Sequence, residues 1–392
     1  MPKLSFILTV TMLSTFGLLA SDIYIPALPT MGTSLNVPSS QMTLTISIYL
    51  FALGIAQLAY APIADSYGRK PTLLVGIGIY ILGAIGCALS KGFDNFLIWR
   101  IVEAIGAAAG LSIGRTLIAD TCGSTKSAKV YAIIYPVVSL SPALAPAIGG
   151  YLSVHFFWQA DFVFVALFGA ITFLMVATKL KETLPQPKKH NHTMFSGFKC
   201  VVTDTKFLRY TVIVCMIYSA WFVYLSQSPY LFLQLGLSQD TIGCLYFPLS
   251  LSIIATNLVT KKLLNCWHYD RIIVIGVACF LLGGVSYLLA IGLHYQSLLV
   301  VLIPMVLVSL ANGSSLSLSI SGAIGSCHKQ PATASGLIGC LQITSAGVIT
   351  SQVSHLFGTR LETLGTTVFI LSSIALIATV GLFKTNIDNK EA

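Results

Sequence analysis

Three ionisable groups sit inside apolar stretches: Asp22 in "GLLASDIYIPALP" (17–29), and Arg100 and Glu103 in "RIVEAIGAAAG" (100–110). A carboxyl in such surroundings can bind and release a proton, and a guanidinium beside it senses the change of charge. Asp22 lies about six residues, roughly 9 Å of helix, from the far end of its apolar run, and Arg100 lies as far from the end near Asp94. The two opposite charges therefore share a depth. If their helices are adjacent the pair neutralises itself without water, whereas a proton arriving on Asp22 leaves Arg100 seeking another partner. Glu103, one turn beyond Arg100 on the same face, could accept the arginine, hold a second proton or contact a cationic substrate. The plain alternative is a permanent structural triad.

The elements that must position these groups follow from composition. Of 392 residues 55% are hydrophobic and only 9% charged, whereas soluble domains are about a quarter charged. The chain is therefore read as a bilayer protein. Runs of about 20 apolar residues are needed to cross the hydrocarbon as helix. Twelve occur, near 6–28, 40–62, 72–90, 94–118, 128–152, 160–178, 209–233, 240–260, 271–292, 296–322, 333–354 and 364–384. An even number leaves both ends on one side. With the termini inside, Lys91 and Arg360 fall outside, Arg100 falls within a span, and every other Lys and Arg lies in or beside an inner loop or tail, as retention of positive charge requires. The net charge of +9 then faces anionic lipid, and no basic groove suggests nucleic acid. A cleavable leader is the rival reading of the first stretch, but its removal would reverse this charge argument.

Nine cysteines, without a CxxC pair, predict free thiols. "HNH" (190–192) reads as solvated loop. "GIGIYILG" (76–83) lies within a span rather than after a strand, so it is no nucleotide loop. No nucleophile with a positioned base and no metal spacing appears; neither an enzyme nor a cofactor is expected.

From Lys179 to Arg209 the texture turns basic and polar, dividing the chain into six-span halves, 1–178 and 209–392, around a linker at 179–208. "MFSGFKCVV" (194–202) reads either as an amphipathic helix on the inner leaflet or as a plain tether. "SDIYIPALPTMGTSLNV" near the outer end of the first span is echoed by "SQSPYLFLQLGLS" near the outer end of the seventh, with Gln227 where the first copy has Asp22. Parallel six-span repeats with a midplane site are a transporter architecture.

A second charge cluster falls at the inner ends. "APIADSYGRKP" (61–71) and "GRTLIADT" (114–121) bring Asp65, Arg69, Arg115 and Asp120 to one side, with Gly68 permitting the turn and Pro71 opening the third span. Such pairs could latch an inner mouth or serve only as a topology signal. "SLSPALAPAIGGYL" (139–152) supplies Pro142, Pro146, Gly149 and Gly150, a bent helix that a neighbour can approach closely. Ser21, Tyr49, Tyr224 and Gln227 are candidate substrate contacts. For aromatic residues in spans, packing or an interface belt is the commoner role.

At these residues the sequence resembles the major facilitator superfamily, and more narrowly its Bcr/CflA-type drug exporters. "ADSYGRKP" looks like the loop between helices 2 and 3, "RIVEAIGAAAG" like the helix 4 motif with its arginine, "SPALAPAIGG" like the helix 5 antiporter motif, and "SDIYIPALP" like the helix 1 signature. The resemblance implies two six-helix bundles related by a pseudo-two-fold axis and proton/substrate antiport by alternating access. Asp22 would be the proton acceptor, Arg100 its partner, and Asp65, Arg69 and Asp120 the inner gate. It also implies a monomer in the inner membrane with cytoplasmic termini. Departures are Glu103 for a common glutamine, Ala61 for glycine, Ser66 and Gln159 for arginines, and Ser14 where some relatives carry an acid. Export of amphipathic or hydrophobic compounds, multidrug or chloramphenicol-like, is the leading expectation. A dedicated metabolite exporter and a non-transporting sensor or scaffold are the alternatives.

Overall fold

The computed structural model describes residues 4–184, 201–294, 297–327 and 331–388, which form helices and short connections with no strand among them. Twelve helical segments are long and apolar enough to cross a bilayer. They are span 1 (Leu4–Ser34), 2 (Ser39–Tyr67), 3 (Arg69–Leu89), 4 (Phe93–Ile118), 5 (Val137–Phe156), 6 (Gln159–Lys179), 7 (Thr205–Gln234), 8 (Gln239–Leu263), 9 (Tyr269–Gly292), 10 (Leu298–Ser326), 11 (Thr333–Phe357) and 12 (Leu361–Val380). This is the all-α, twelve-span architecture expected from the hydropathy pattern. The "HNH" stretch and all of "MFSGFKCVV" but its last two residues lie outside the described residues.

Span 1 runs further than its apolar run predicts, and it is broken. A straight helix, Leu4–Asp22, gives way to a 3-10 turn at Ile25–Ala27 and then to a short helix, Leu28–Ser34. Pro26 and Pro29 are the cause: each lacks the N–H that would continue the ladder, yet each is tolerated in the first turn of a new helical piece. Asp22 therefore ends a helix instead of lying about six residues inside its end. Spans 4 and 5, expected as separate helices, belong to one unbroken helical run, Phe93–Phe156.

The chain divides by contact into two compact units, Met1–Asn191 with Ser238–Tyr246, and His192–Leu237 with Phe247–Ala392. The tip of span 8 thus groups with the first unit, away from its sequence neighbours. In that unit spans 3 and 4 meet backbone to backbone. A methyl group on Gly83 would strike the main chain of Glu103, and one on Gly106 would strike that of Tyr80. Only glycine lets the helices close to this distance, and closure drives Arg100 and Glu103 into the interior. Aromatic packing fills the remainder, with Phe16 on Tyr80 (3.8 Å between ring centres) and Phe162 against both Tyr24 (5.4 Å) and Phe96 (5.3 Å). In the second unit the Tyr210 hydroxyl donates to Asp270 at 2.8 Å, tying span 7 to span 9.

Candidate functional site

The charged centre of the first unit is assembled by four spans around one guanidinium. Arg100 is wholly buried. Its Nη1 donates to Glu103 Oε2 at 2.6 Å and to the Ala20 carbonyl at 3.2 Å, and its Nη2 donates to the Tyr24 hydroxyl at 3.3 Å. The Ala20 carbonyl belongs to the last turn of the helix that stops at Asp22. Such carbonyls lack intrahelical partners and present the negative end of the helix dipole to a cation. Aromatic faces complete the enclosure: the guanidinium carbon lies 4.1 Å from the Tyr49 ring centre, 4.6 Å from Tyr24 and 5.7 Å from Phe162, distances at which ring quadrupoles attract a cation.

Asp22 is also buried, and its carboxylate accepts from the Ser21 hydroxyl at 2.6 Å. Arg100 is near enough to act on it electrostatically, but among the described residues no ion pair joins the two. The direct Asp22–Arg100 contact expected from their shared depth is taken here by Glu103, three residues along Arg100's own helix and so in reach without any movement between helices. The second Glu103 oxygen has no hydrogen-bond partner among the described residues. Two tyrosines hold the surrounding backbone, Tyr49 donating to the Gly17 carbonyl (3.0 Å) and Tyr80 to that of Phe16 (3.3 Å), while the Tyr24 hydroxyl shares a hydrogen bond with the Thr45 hydroxyl (3.1 Å). Tyr49 and Ser21, considered above as substrate contacts, are thus engaged with the Arg100 and Asp22 centre. Tyr224 and Gln227 stand one turn apart on span 7. Gln227 is buried, and both its amide atoms lack a hydrogen-bond partner among the described residues.

At the opposite end of the first unit Arg69 bridges two acids, Nη1 to Asp65 at 2.5 Å and Nε to Asp120 at 3.2 Å. Gly68, at φ +99°, makes the turn that starts span 3. Arg115 is exposed and forms no ion pair among the described residues. The sequence reading missed a third acid. Glu182, just past span 6, accepts from the backbone N–H groups of Arg69 and Lys70, both at 3.0 Å, while Thr183 donates to Asp120 at 3.3 Å. Partial burial pushes the Glu182 carboxyl up, but the N–H groups of Leu184, Lys70, Arg69 and Thr183 hold it below the ordinary glutamate range. Its position in a polar stretch read as linker hid it.

Span 5 touches both neighbours through its glycines. A methyl on Gly149 would overlap the Ile23 carbonyl, next to Asp22, and one on Gly150 would strike the Gln239 carbonyl at the tip of span 8. Gln239 adds a polar bracket, accepting from Ser153 and donating to Thr30, each at 3.0 Å. Pro142 and Pro146 lie within the helical run, and a side chain on Gly243 would strike the Pro146 carbonyl.

The sequence profile described as Major Facilitator Superfamily matches residues 7–351. A chloramphenicol resistance protein of Pseudomonas aeruginosa is 28% identical over 360 residues, covering 90% of this chain and 84% of that protein. Multidrug resistance protein D of Escherichia coli (strain K12) is 26% identical over 366 residues, covering 93% and 92%. Among solved structures, the xylose transporter XylE from E. coli, in a partially occluded inward open conformation, superposes with a TM-score of 0.76 at 12% identity over 97% of this chain and 98% of that one.

Proposed function

Since the chain belongs to the Major Facilitator Superfamily and is a multi-pass membrane transporter rather than an enzyme, we propose that it is a proton-coupled antiporter of the Bcr/CflA type. It exports small amphipathic or hydrophobic compounds across the inner membrane by alternating access. The observation that carries this reading is the disposition of charge around Arg100. Glu103 already neutralises the guanidinium, so Asp22 is buried with the Ser21 hydroxyl as its partner and without an ion pair among the described residues, Arg100 acting on it only at a distance. A lone carboxylate is costly to bury charged, so this arrangement suits an Asp22 that carries its proton across. In the cycle, Asp22 takes a proton from outside, the halves rock, and substrate entering from the inside favours release because it competes for the same acid and its partners. The Asp65, Arg69 and Asp120 network closes the inner mouth in the outward-facing state. Gln239 on Ser153 and Thr30 closes the outer end of the first half. The names of the two resistance proteins support a drug-like substrate class. The termini are cytoplasmic and the working unit is a monomer.

Transport into proteoliposomes under an imposed pH gradient tests the scheme. Asp22→Asn abolishes gradient-driven export while substrate still binds; uphill export surviving unchanged would sink the assignment. Glu103→Gln shifts preference between cationic and neutral compounds, and an unaltered substrate profile removes that role. A panel of toxic compounds against a strain stripped of its own pumps separates broad export from a dedicated metabolite exporter, which gives no resistance.

A further inference from the structure

One acid in the first unit has no place in this scheme. Asp161 is the third residue of span 6, completely buried, and neither carboxyl oxygen has a hydrogen-bond partner among the described residues. Its setting differs from those of the other buried acids there, since Asp22 has the Ser21 hydroxyl and Glu103 has Arg100. The elements packed against span 6 carry, in their outer halves, Asp22 and Tyr24 on span 1, Tyr80 and Cys87 on span 3 with Lys91 just beyond it, Asp94, Arg100 and Glu103 on span 4, and Tyr151 and His155 on span 5. Among the described residues none forms a hydrogen bond or ion pair with Asp161. An acid in the first turn of a helix is favoured by the dipole, but that gain, at most about 2 kcal/mol, does not offset the several kcal/mol lost when a charged carboxylate is stripped of water. The neighbours fix where the group lies. Trp158, one turn earlier, donates to Ser34 at 3.3 Å where span 1 ends, and the adjoining Phe162 ring faces Tyr24.

We propose that Asp161 is a second proton site, loaded from the outer solution, whose occupancy permits the outer end of the first half to close. With the carboxyl hydrated and ionised, closing over it strands a charge without a partner. When an external proton forms the O–H bond, the neutral acid can be buried as it is here; on reopening, the bond breaks and the proton returns to the outside. The site therefore sets the dependence of export on external pH without adding to the protons moved per cycle. This inference rests on the antiport reading, with Asp22 as the transported-proton site.

The test measures export rate against external pH in vesicles held at fixed internal pH and clamped at zero membrane potential. On the alkaline limb two protons must bind from outside in the parent, so the rate falls about a hundredfold per pH unit, mass action giving about tenfold for each proton. Asp161→Asn and Asp161→Leu, both permanently neutral, reduce the limiting slope to about tenfold per unit and leave the uphill accumulation ratio at a given gradient unchanged. A slope unaltered in both variants overturns the proposal. So does loss of export in both at an unchanged melting temperature, because a neutral side chain should permit closure. A changed accumulation ratio also overturns it, by placing Asp161 on the transported-proton path. Uphill export that survives in Asp22→Asn overturns the antiport reading instead, and is seen independently of the Asp161 slopes.

Discussion

Replacing Glu182 by alanine removes the acceptor for the backbone donors of Arg69 and Lys70. These are first-turn N–H groups of span 3, which have no partner within their own helix. An N-terminal acceptor is worth about 1 kcal/mol, in a range of about 0.5–2. Two donors and a charged acceptor raise the figure, and solvent exposure of the carboxylate lowers it, leaving about 1–2 kcal/mol in total. That is a factor of about 5–30 in the opening equilibrium of the turn. Hydrogen exchange of peptides spanning residues 66–74 reads this directly: amides 69 and 70 should exchange faster by that factor in Glu182→Ala, with helix positions beyond 74 unaffected. The pH dependence has a definite sign. Because the folded carboxyl is held below its ordinary value of 4.5, its contribution is complete above that pH and is lost as pH falls through the lower folded value. The difference between parent and variant should thus be full at pH 7 and shrink only below about pH 4.5. Identical exchange in the two proteins at pH 7 would refute the role given to Glu182.

Gly106→Ala forces a methyl group onto the backbone of Tyr80, and overpacking of this kind costs about 1–3 kcal/mol. Thermal unfolding in detergent should show a lowered midpoint, whereas an unchanged one would mean that spans 3 and 4 separate freely. Gln239→Ala deletes the bracket between Ser153 and Thr30, so a cysteine placed at Thr33 should react faster with an impermeant maleimide from outside; equal rates would leave the bracket without a closing role.

The twelve spans were legible because a helix in hydrocarbon needs a long apolar run, and nothing else in the chain imitates one. Asp22, Arg100 and Glu103 stood out for the converse reason, as charges where water is excluded. Sequence depth placed Asp22 opposite Arg100, but depth does not choose between two acids within reach of one guanidinium, and the intrahelical spacing of Glu103 prevails in this structure. Glu182 was obscured because its partners are backbone N–H groups of another helix, which leave no mark in side-chain patterning. Asp161 escaped notice at the edge of an apolar run, where an acid ordinarily meets water. The extension of span 1 to Ser34 was masked because the apolar run stops near 28, while Pro26 and Pro29 start new helical pieces that carry the span on.

The enclosure of Arg100 constrains how its role can be probed. Its neighbours come from spans 1, 2, 4 and 6, through Ala20 and Tyr24, Tyr49, Glu103 and Phe162. One side chain is the common fastening of four helices, and a neutral replacement would unpick all of them at once. Inactivity in such a variant would confound a collapsed interior with a lost signal. Substitutions at the periphery, which slacken a single thread, are the informative ones.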